Sequence, residues 1–291
     1  MTHLKTFLAA GFSAAILLSA CGGGDKTKTA DKTSAPSQSV VPVLDGVIAG
    51  EWRKEEAKRD EFRHPKETLE FFGLAPGQKV VEIFPGGGGW YTSVLAPYSK
   101  QTGGTYVAAV FEASMGERYM GANDKLLKKY ADAEIFGTIN TVEFGADSGP
   151  MGAGDVDLIL SFRNVHSWMG RGYADKAFAD FYVALKPGGV LGIVEHRLPE
   201  SAEQNPKAPT GYVQVSYTKA LAEAAGFEFV GASPVNANPK DTADYEMGVW
   251  TLPPVSRLPK EDSDLAKDFD AAKYKAIGES DRYTLKFRKP E

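Results

Sequence analysis

Four consecutive glycines directly behind a short apolar segment constrain this chain more than any other feature. Residues 79–90 read KVVEIFPGGGGW. Val80, Val81 and Ile83 predict a buried strand, and the apolar residues from Trp90 onward predict a helix. Strand, glycine-rich turn and helix form the first βα unit of a Rossmann-like sheet. Glycine lets the backbone turn tightly and approach a ligand, and the helix N-terminus offers N–H groups to that ligand.

The remaining chain predicts the same architecture. Apolar segments that alternate with amphipathic helices predict further strands at Thr105–Phe111, 139–144, Val156–Phe162, 190–194, 227–232 and Arg282–Arg288. We therefore expect an α/β fold, a Rossmann-like seven-stranded and mostly parallel sheet with helices on both faces and an antiparallel last strand.

An acidic residue stands ahead of the glycines. Glu82, Gly86 and Gly88 match three of the four fixed positions of the pattern Glu/Asp-x-Gly-x-Gly-x-Gly. This resembles motif I of class I S-adenosylmethionine-dependent methyltransferases. Phe84 occupies the position of the first glycine, where a phenyl ring can narrow or reshape the pocket floor. The resemblance covers roughly residues 59–291, and a GGGGWYT turn together with an RNVHSW segment is similar to a group of bacterial predicted methyltransferases.

The resemblance implies S-adenosylmethionine as cofactor and a set of residues that bind it. Glu112 follows the second strand, where a carboxylate can accept two hydrogen bonds from the ribose hydroxyls. Asp147 stands where the family often places an acid against the adenine amino group. Both acids have a plainer interpretation as loop and turn residues, and the glycine turn can serve packing alone. The expected cofactor-binding set is Glu82, Gly86, Gly87, Gly88, Glu112, Asp147 and Arg163.

Candidate catalytic residues follow two strands that are neighbours in this topology. Asn164 and His166 come after Val156–Phe162, and Glu195 and His196 come after the next strand. His166 is the candidate base because histidine titrates near neutral pH, with Asn164 and Glu195 beside it. The choice of base among His166, Glu195 and His196 stays open, and His166 can equally be a packing residue. Strand alternation sends Glu195 and His196 to opposite sides.

These residues predict methyl transfer to an unidentified small-molecule acceptor. The alternative is a catalytically inactive, Rossmann-like ligand-binding lipoprotein of the cell envelope. A metal site of His166, Glu195 and His196 is disfavoured by spacing and alternation, so no metal is expected. A nicotinamide enzyme is disfavoured because the acid precedes the glycines. The net charge of −5 gives no reason to expect a nucleic-acid partner.

The N-terminus resembles a bacterial lipoprotein signal. Lys5 precedes an apolar run at residues 7–18, and the sequence LSAC ends at Cys21, the only cysteine of the chain. We expect a signal peptide at residues 1–20, a flexible tether at 21–45 and the methyltransferase-like domain at 46–291. The protein is then exported and attached to the membrane by a lipid on Cys21, on the periplasmic side. A plain secretory signal is the alternative.

A long segment separates the last two predicted strands. Residues 234–280 include an extended piece at 248–252 and a charged helix near 265–276. A compact domain rarely contains such a connection without a use. We expect residues 236–245 to cover the crevice as a lid, the alternative being a wrap around the far side of the sheet.

Overall fold

A computed structural model describes residues 40–291, and the side chains from residue 43 onward. The predicted signal peptide, Cys21 and most of the predicted tether lie outside the described residues. Within residues 40–291, every helix is too short or too polar to cross a bilayer.

The described chain alternates strands with helices. The strands are β1 Lys79–Ile83, β2 Thr105–Phe111, β3 Asn140–Phe144, β4 Val156–Phe162, β5 Leu185–His196, β6 Glu228–Ser233 and β7 Arg282–Arg288. The helices are α1 Val40–Ile48, α2 Asp60–Arg63, α3 Pro65–Phe72, α4 Thr92–Thr102, α5 Glu117–Lys129, α6 Ala133–Phe136, α7 Val165–Arg171, α8 Ala174–Ala184, α9 Val215–Ala224, α10 Asp264–Lys267 and α11 Ala271–Ile277. Short 3₁₀ helices lie at Glu51–Arg53, Glu56–Arg59, Ala113–Met115 and Gly248–Thr251.

The strands form one seven-stranded sheet in the order β3-β2-β1-β4-β5-β7-β6. β7 pairs antiparallel with β5 and β6, and the other pairs are parallel. The predicted fold class is therefore confirmed. The chain leaves β1 toward β2 on one side, and β4 lies on the other. This reversal opens a crevice at the carboxyl ends of β1 and β4, the usual ligand position in such sheets.

Apolar layers cover both faces of the sheet. On one face, Val81 of β1 and Ile159 of β4 pack with α8, whose Phe178 and Phe181 are fully buried. The opposite face packs against α1, α3 and α4. Because both faces are covered, β1 and β4 are nearly continuous apolar runs, as buried parallel strands require. The layers hold the strand ends, and with them the crevice, in fixed positions.

Two local predictions differ from the structure. The piece at 248–252, predicted as extended, is the 3₁₀ helix Gly248–Thr251, and the single charged helix predicted near 265–276 is the pair α10 and α11. β5 also begins earlier than predicted, at Leu185. The N–H of Gly188 donates to the carbonyl of Lys289, and the N–H of Lys289 donates to that of Gly189. This pairing with the chain after β7 extends the strand through a segment that otherwise predicts a turn.

Candidate functional site

The glycine turn presents two of its four residues to open space. A Cβ added to Gly86 or Gly88 would meet no atom within 4 Å. A Cβ added to Gly89 would lie 2.5 Å from the ring of Tyr130, so this glycine is needed for packing against α5. Gly86 has φ +65°, a conformation that favours glycine. The backbone is therefore open to a ligand at Gly86 and Gly88. A Cβ added to Gly87 would lie 3.1 Å from the side chain of Lys125.

Phe84 forms an aromatic floor beside this turn. Its φ is +46°, as expected of a residue in a glycine position. Its ring stacks on Phe111 at 4.3 Å between centroids and lies 5.2 Å from the ring of Phe144. Phe111 and Phe144 are the last residues of β2 and β3. The phenyl ring is therefore packed at the ends of these strands, and the turn beyond it stays open.

Glu82 lies beneath the turn, with its side chain between the sheet and α4. Its Oε2 accepts hydrogen bonds from Thr92 Oγ1 at 2.9 Å and from the Tyr106 hydroxyl at 2.6 Å. Burial raises the pKa of Glu82 to about 7, although these two hydrogen bonds act in the opposite direction. The described contacts hold this carboxylate inside the protein, and its binding of a cofactor stays a prediction.

Glu112 and Asp147 meet at the ends of β2 and β3. The backbone N–H of Asp147 lies 3.1 Å from Glu112 Oε2, and Ser114 Oγ donates to Oε1 at 2.9 Å. Burial would raise the pKa of Glu112, but the bonds from Ser114 and from backbone N–H groups of the loop outweigh it and lower the pKa. The structure thus fixes an ionised carboxylate at the end of β2, with the exposed Asp147 beside it. Their contact with a nucleoside stays a prediction.

A histidine–glutamate pair is formed at the ends of β4 and β5. Asn164 ties this region to β1, because its Nδ2 donates to the carbonyl of Ile83 at 2.9 Å. His166 Nδ1 lies 3.1 Å from Glu195 Oε1, and the backbone N–H of His166 donates to Oε2. Glu195 is fully buried. A carboxylate at Nδ1 requires a proton there, so the neutral ring carries its lone pair on Nε2.

Residues along β5 alternate between the two faces of the sheet, with Ile193 in the core on one face and Val194 in the core on the other. Ligand atoms of His166, Glu195 and His196 lie within 4.8 Å of one another. The Glu195 carboxylate turns back over the strand end, where it accepts the N–H of His196 at 2.8 Å. Burial, then the charges of His166 and Arg163, lower the pKa of His196 well below its usual value. These three residues are the ones weighed above as a metal site, and the expectation that no metal binds them stays a prediction.

Four arginines surround one carboxylate beside this pair, a feature that the sequence interpretation missed. Glu279 lies 2.6, 3.2, 4.0 and 3.0 Å from guanidinium nitrogens of Arg59, Arg63, Arg163 and Arg282. Burial alone would raise the pKa of Glu279, but the arginines lower it to about 2. Arg59 and Arg63 are four residues apart, which places them on one helical face, but nothing in their spacing indicates Glu279 as partner.

The Trp90–Tyr91 pair after the glycines positions these arginines. Trp90 Nε1 donates to the carbonyl of Glu56 at 2.9 Å, and Arg63 lies 4.7 Å over the Trp90 ring. Tyr91 stacks on Phe162 at 3.5 Å between centroids, and its hydroxyl donates to the carbonyl of Arg63. The helical turns of the N-terminal segment are therefore attached directly to the ligand turn and to the end of β4.

A cavity of about 270 Å³ lies between the arginines and the inserted segment. The cavity is lined on one side by Arg59, Arg63 and Arg163 together with His166 and His196. Residues 249, 250 and 252–255 form the facing wall. The inserted segment therefore reaches the crevice, but through these later residues. Asn236, at the start of the predicted lid, is buried and donates to Thr68 and Thr284. The residues of the inserted segment that border this cavity are thus not those of 236–245, the range predicted to form the lid.

Sequence comparison finds relatives over part of the chain, and no family profile matches it. The chain is 32% identical over 139 residues to the ubiquinone/menaquinone biosynthesis C-methyltransferase UbiE of Psychromonas ingrahamii, 45% of this chain and 48% of that enzyme. A UbiE of Shewanella pealeana is 30% identical over 140 residues, 46% and 48% of the two chains. The chain thus spans about half the length of the curated relatives that it matches.

Solved structures show the fold over most of the chain. The (4+2)-cyclase SpnF matches with a TM-score of 0.55 and 16% identity, over 86% of this chain and 92% of SpnF. A proposed sarcosine dimethylglycine methyltransferase of Galdieria sulphuraria matches with a TM-score of 0.53 and 15% identity, over 81% and 86%. The chain therefore has the seven-stranded fold of the class I S-adenosylmethionine-dependent methyltransferase superfamily, and over about half their length it is related in sequence to curated methyltransferases.

Proposed function

We propose that this protein transfers the methyl group of S-adenosylmethionine to a small-molecule acceptor. One observation carries the proposal: an open glycine turn, the fixed Glu112 carboxylate and the His166–Glu195 pair lie along one edge of the sheet. A ligand turn alone would fit a binding protein. Here His166 is also present, oriented by the buried Glu195 carboxylate and beside a cavity that is open to solvent. This arrangement favours proton-transfer chemistry over ligand binding alone.

The chain's own residues fit this cofactor. Open space over Gly86 and Gly88 leaves room for the cofactor against the backbone, and the Glu112 carboxylate at the end of β2 would accept hydrogen bonds from a ribose diol. Asp147 would reach the adenine amino group, and Arg163 borders the crevice beyond the turn. S-Adenosylmethionine supplies an activated methyl group on a sulfonium centre. The protein must hold the acceptor in line with it and accept a proton from a neutral acceptor.

His166 is positioned to accept that proton at Nε2. The Glu195 carboxylate at Nδ1 fixes the orientation of the ring and stabilises the positive charge that protonation creates. Because Glu195 accepts the backbone N–H groups of His166 and His196 as well, it cannot easily turn away. Glu195 is therefore a positioning residue, and His166 is the candidate catalytic residue.

The comparisons support methyl transfer in general and leave the acceptor open. The UbiE relatives are named as C-methyltransferases, and the chain matches about half of their length. SpnF, which has a similar fold, is named as a cyclase. The fold alone therefore does not identify the reaction, and ligand binding is the first property to measure.

Calorimetry of the purified protein with S-adenosylmethionine and with S-adenosylhomocysteine tests the proposal. We expect one site for each ligand and no comparable binding of a nicotinamide dinucleotide. In nicotinamide enzymes the diagnostic acid stands at the end of the second strand, whereas here Glu82 precedes the glycines. A folded protein that binds neither S-adenosylmethionine nor its product would refute the proposed function. Binding of both, with no transfer to any acceptor in a metabolite extract, would favour the inactive ligand-binding lipoprotein.

We also propose that the protein is exported and anchored to the periplasmic side of a membrane by lipid on Cys21. The lipobox-like sequence LSAC behind an apolar run supports this. Replacement of Cys21 by serine should abolish metabolic labelling with a fatty-acid probe and change the mass of the mature protein. Ser34→Ala, a substitution in the predicted tether, should change neither. Equal labelling of both variants would contradict the anchor.

A further inference from the structure

We propose that the cavity between the arginines and Trp250 binds the anionic group of the acceptor, so that the substrate is a small phosphate monoester or carboxylic acid with an apolar body. The methyl-transfer part of this inference rests on the proposed function, but anion binding does not. The cavity measures about 270 Å³, room for a small molecule of this kind, and opens next to His166.

The charges around the cavity are unbalanced. Four guanidinium groups lie within 4.0 Å of Glu279, the carboxylate that they share. Arg282 is further engaged by the carbonyls of Ser280 and Phe62. Among the residues that the structure describes, the Arg163 side chain donates no hydrogen bond, and its contact with Glu279 is the longest of the four. The arginines beside the cavity therefore carry more positive charge than the buried Glu279 carboxylate neutralises, which favours binding of an anion.

The accessible arginines can reach a ligand. The side chains of Arg59 and Arg163 remain 28% and 26% exposed, whereas those of Arg63 and Arg282 are 3% and 4% exposed. Arg59 contacts Glu279 at 2.6 Å but keeps part of its side chain exposed, and Arg163, at 4.0 Å, is the least engaged; an anion in the cavity can contact both. Planar guanidinium groups bind phosphate or carboxylate oxygens in pairs, which gives directional recognition.

Mutual repulsion within the cluster gives a physical reason for anion binding. Burial, and after it the charges of Arg282 and Arg59, lower the pKa of Arg163 to about 10 in spite of Glu279. Burial and Arg163 likewise lower the pKa of Arg63 well below its usual value. A bound anion would relieve this repulsion, because opposite charge at close range favours the charged guanidinium.

The facing wall indicates the rest of the ligand. Trp250, Val249 and residues 252–255 are apolar, and Trp250 meets the His166 ring edge to face at 6.2 Å between centroids. A ligand whose anionic group contacts the arginines would lay an apolar body along this wall, next to His166. That position places an acceptor group within the reach of the candidate base. The cavity therefore predicts an amphipathic acceptor with a charged end.

The first experiment measures binding of inorganic phosphate and phenyl phosphate to the full-length protein by calorimetry, at constant ionic strength. We expect phenyl phosphate to bind at least tenfold more tightly than phosphate, because its ring contacts Trp250. Arg59→Gln should weaken both ligands about tenfold, and Arg118→Gln, an exposed arginine on α5, should weaken neither. Trp250→Ala should weaken phenyl phosphate only. Equal affinities in all four proteins, or no saturable binding, would overturn the proposal.

A benzoate arm distinguishes the two possible anions. Tighter binding of phenyl phosphate than of benzoate assigns a phosphorylated acceptor, and the reverse assigns a carboxylic acid. Either ranking supports the anionic pocket provided that Arg59→Gln weakens the preferred ligand. If benzene-ring ligands bind equally well without any charged group, the arginines do not select the acceptor and the inference fails.

A third arm separates the acceptor from the cofactor, whose methionine carboxylate is itself an anion. Phenyl phosphate affinity is measured with and without saturating S-adenosylhomocysteine. Unchanged or tighter binding supports a separate acceptor pocket. Strict competition would overturn the inference, because the cofactor carboxylate would then occupy the arginines. Anion binding by a protein that fails to bind S-adenosylhomocysteine would refute the proposed function and leave the anion site standing.

Discussion

At the scale of single residues, burial rather than charge pairing determines the behaviour of Glu82. Its carboxylate is 3% exposed and receives hydrogen bonds from Thr92 and Tyr106 but lies in no ion pair among the described residues. Burial raises its pKa from 4.5 to about 7. The folded state therefore binds a proton that the unfolded state has already released between these two values. The contribution of Glu82 to stability is therefore fully present below pH 4.5 and is lost as the pH rises toward 7.

Replacement of Glu82 by glutamine should remove this pH dependence. A shift of this size corresponds to about 3 kcal/mol in the free energy of unfolding. Urea unfolding at pH 5 and at pH 8 should show a smaller loss of stability for Glu82→Gln than for the parent, by an amount of that order. Glu143→Gln, an exposed glutamate on β3, serves as control. If both variants lose as much stability as the parent between these pH values, Glu82 is not the group responsible.

Residue types and strand ends predicted part of the candidate site. His166 and Glu195 were expected in one crevice because parallel neighbouring strands end at one edge, and the structure brings them to 3.1 Å. Residues along β5 alternate between the faces of the sheet as predicted, but the approach of His196 to the His166–Glu195 pair was not foreseen. Alternation fixes where a Cβ points, but the Glu195 carboxylate bends back to backbone N–H groups near the strand end. That local hydrogen bonding cannot be read from the period of the strand.

At the scale of elements, the four glycines of the turn have different functions. Gly86 and Gly89 have positive φ, whereas Gly88 does not. Gly89 is enclosed by α5, and Gly86 and Gly88 face open space. Substitution of Gly88 therefore tests ligand access with the least backbone strain, since a side chain there needs no unusual φ and meets no protein atom.

Gly88→Val should place its side chain in the space proposed for the cofactor. We expect affinity for S-adenosylhomocysteine to fall at least tenfold, about 1.4 kcal/mol, with the melting temperature nearly unchanged. Gly121→Val on α5 is the matched control, because a Cβ there also meets no atom within 4 Å. Calorimetry and thermal unfolding of both variants measure these effects. Undiminished affinity in a folded Gly88→Val protein would make the turn a purely structural feature.

Elements with a strong pattern were predicted well, and those without one were not. β2, β4 and β7 have the predicted bounds because long apolar or alternating runs end at glycine, proline or charge. The inserted segment has no such periodicity, and its conformation depends on distant partners. Gly248 illustrates this: a Cβ there would lie 2.3 Å from the carbonyl of Thr210, a contact that only the folded chain creates. Tertiary contacts of this kind override local propensity.

At the scale of the whole molecule, Glu279 joins three distant parts of the chain. Its arginine partners come from the N-terminal segment, from the residue after β4 and from the start of β7. Arg59 and Glu279 are 220 residues apart in the sequence. Each arginine alone resembles a solvated surface charge, so the cluster could not be predicted from local pattern. Arg59, Arg63 and Arg163 of this cluster also border the proposed anion pocket, so anion binding there should affect the stability of the fold.

Replacement of Glu279 by glutamine should destabilise the protein and make that stability depend on anions. The substitution leaves four arginines without their shared carboxylate, and loss of one member of a buried ion pair costs about 3–5 kcal/mol. Urea unfolding at pH 7 should show this loss, while Glu246→Gln, an exposed glutamate of the same inserted segment, should behave as the parent. The folded pKa of about 2 lies below 4.5, so the contribution of Glu279 is present above pH 4.5 and disappears as the pH falls toward 2. The difference in stability between the parent and the variant should therefore disappear in acid.

Because an added anion can replace the missing carboxylate, inorganic phosphate should raise the melting temperature of Glu279→Gln more than that of the parent. A variant as stable as Glu246→Gln, and indifferent to phosphate, would show that the arginines need no anion at all.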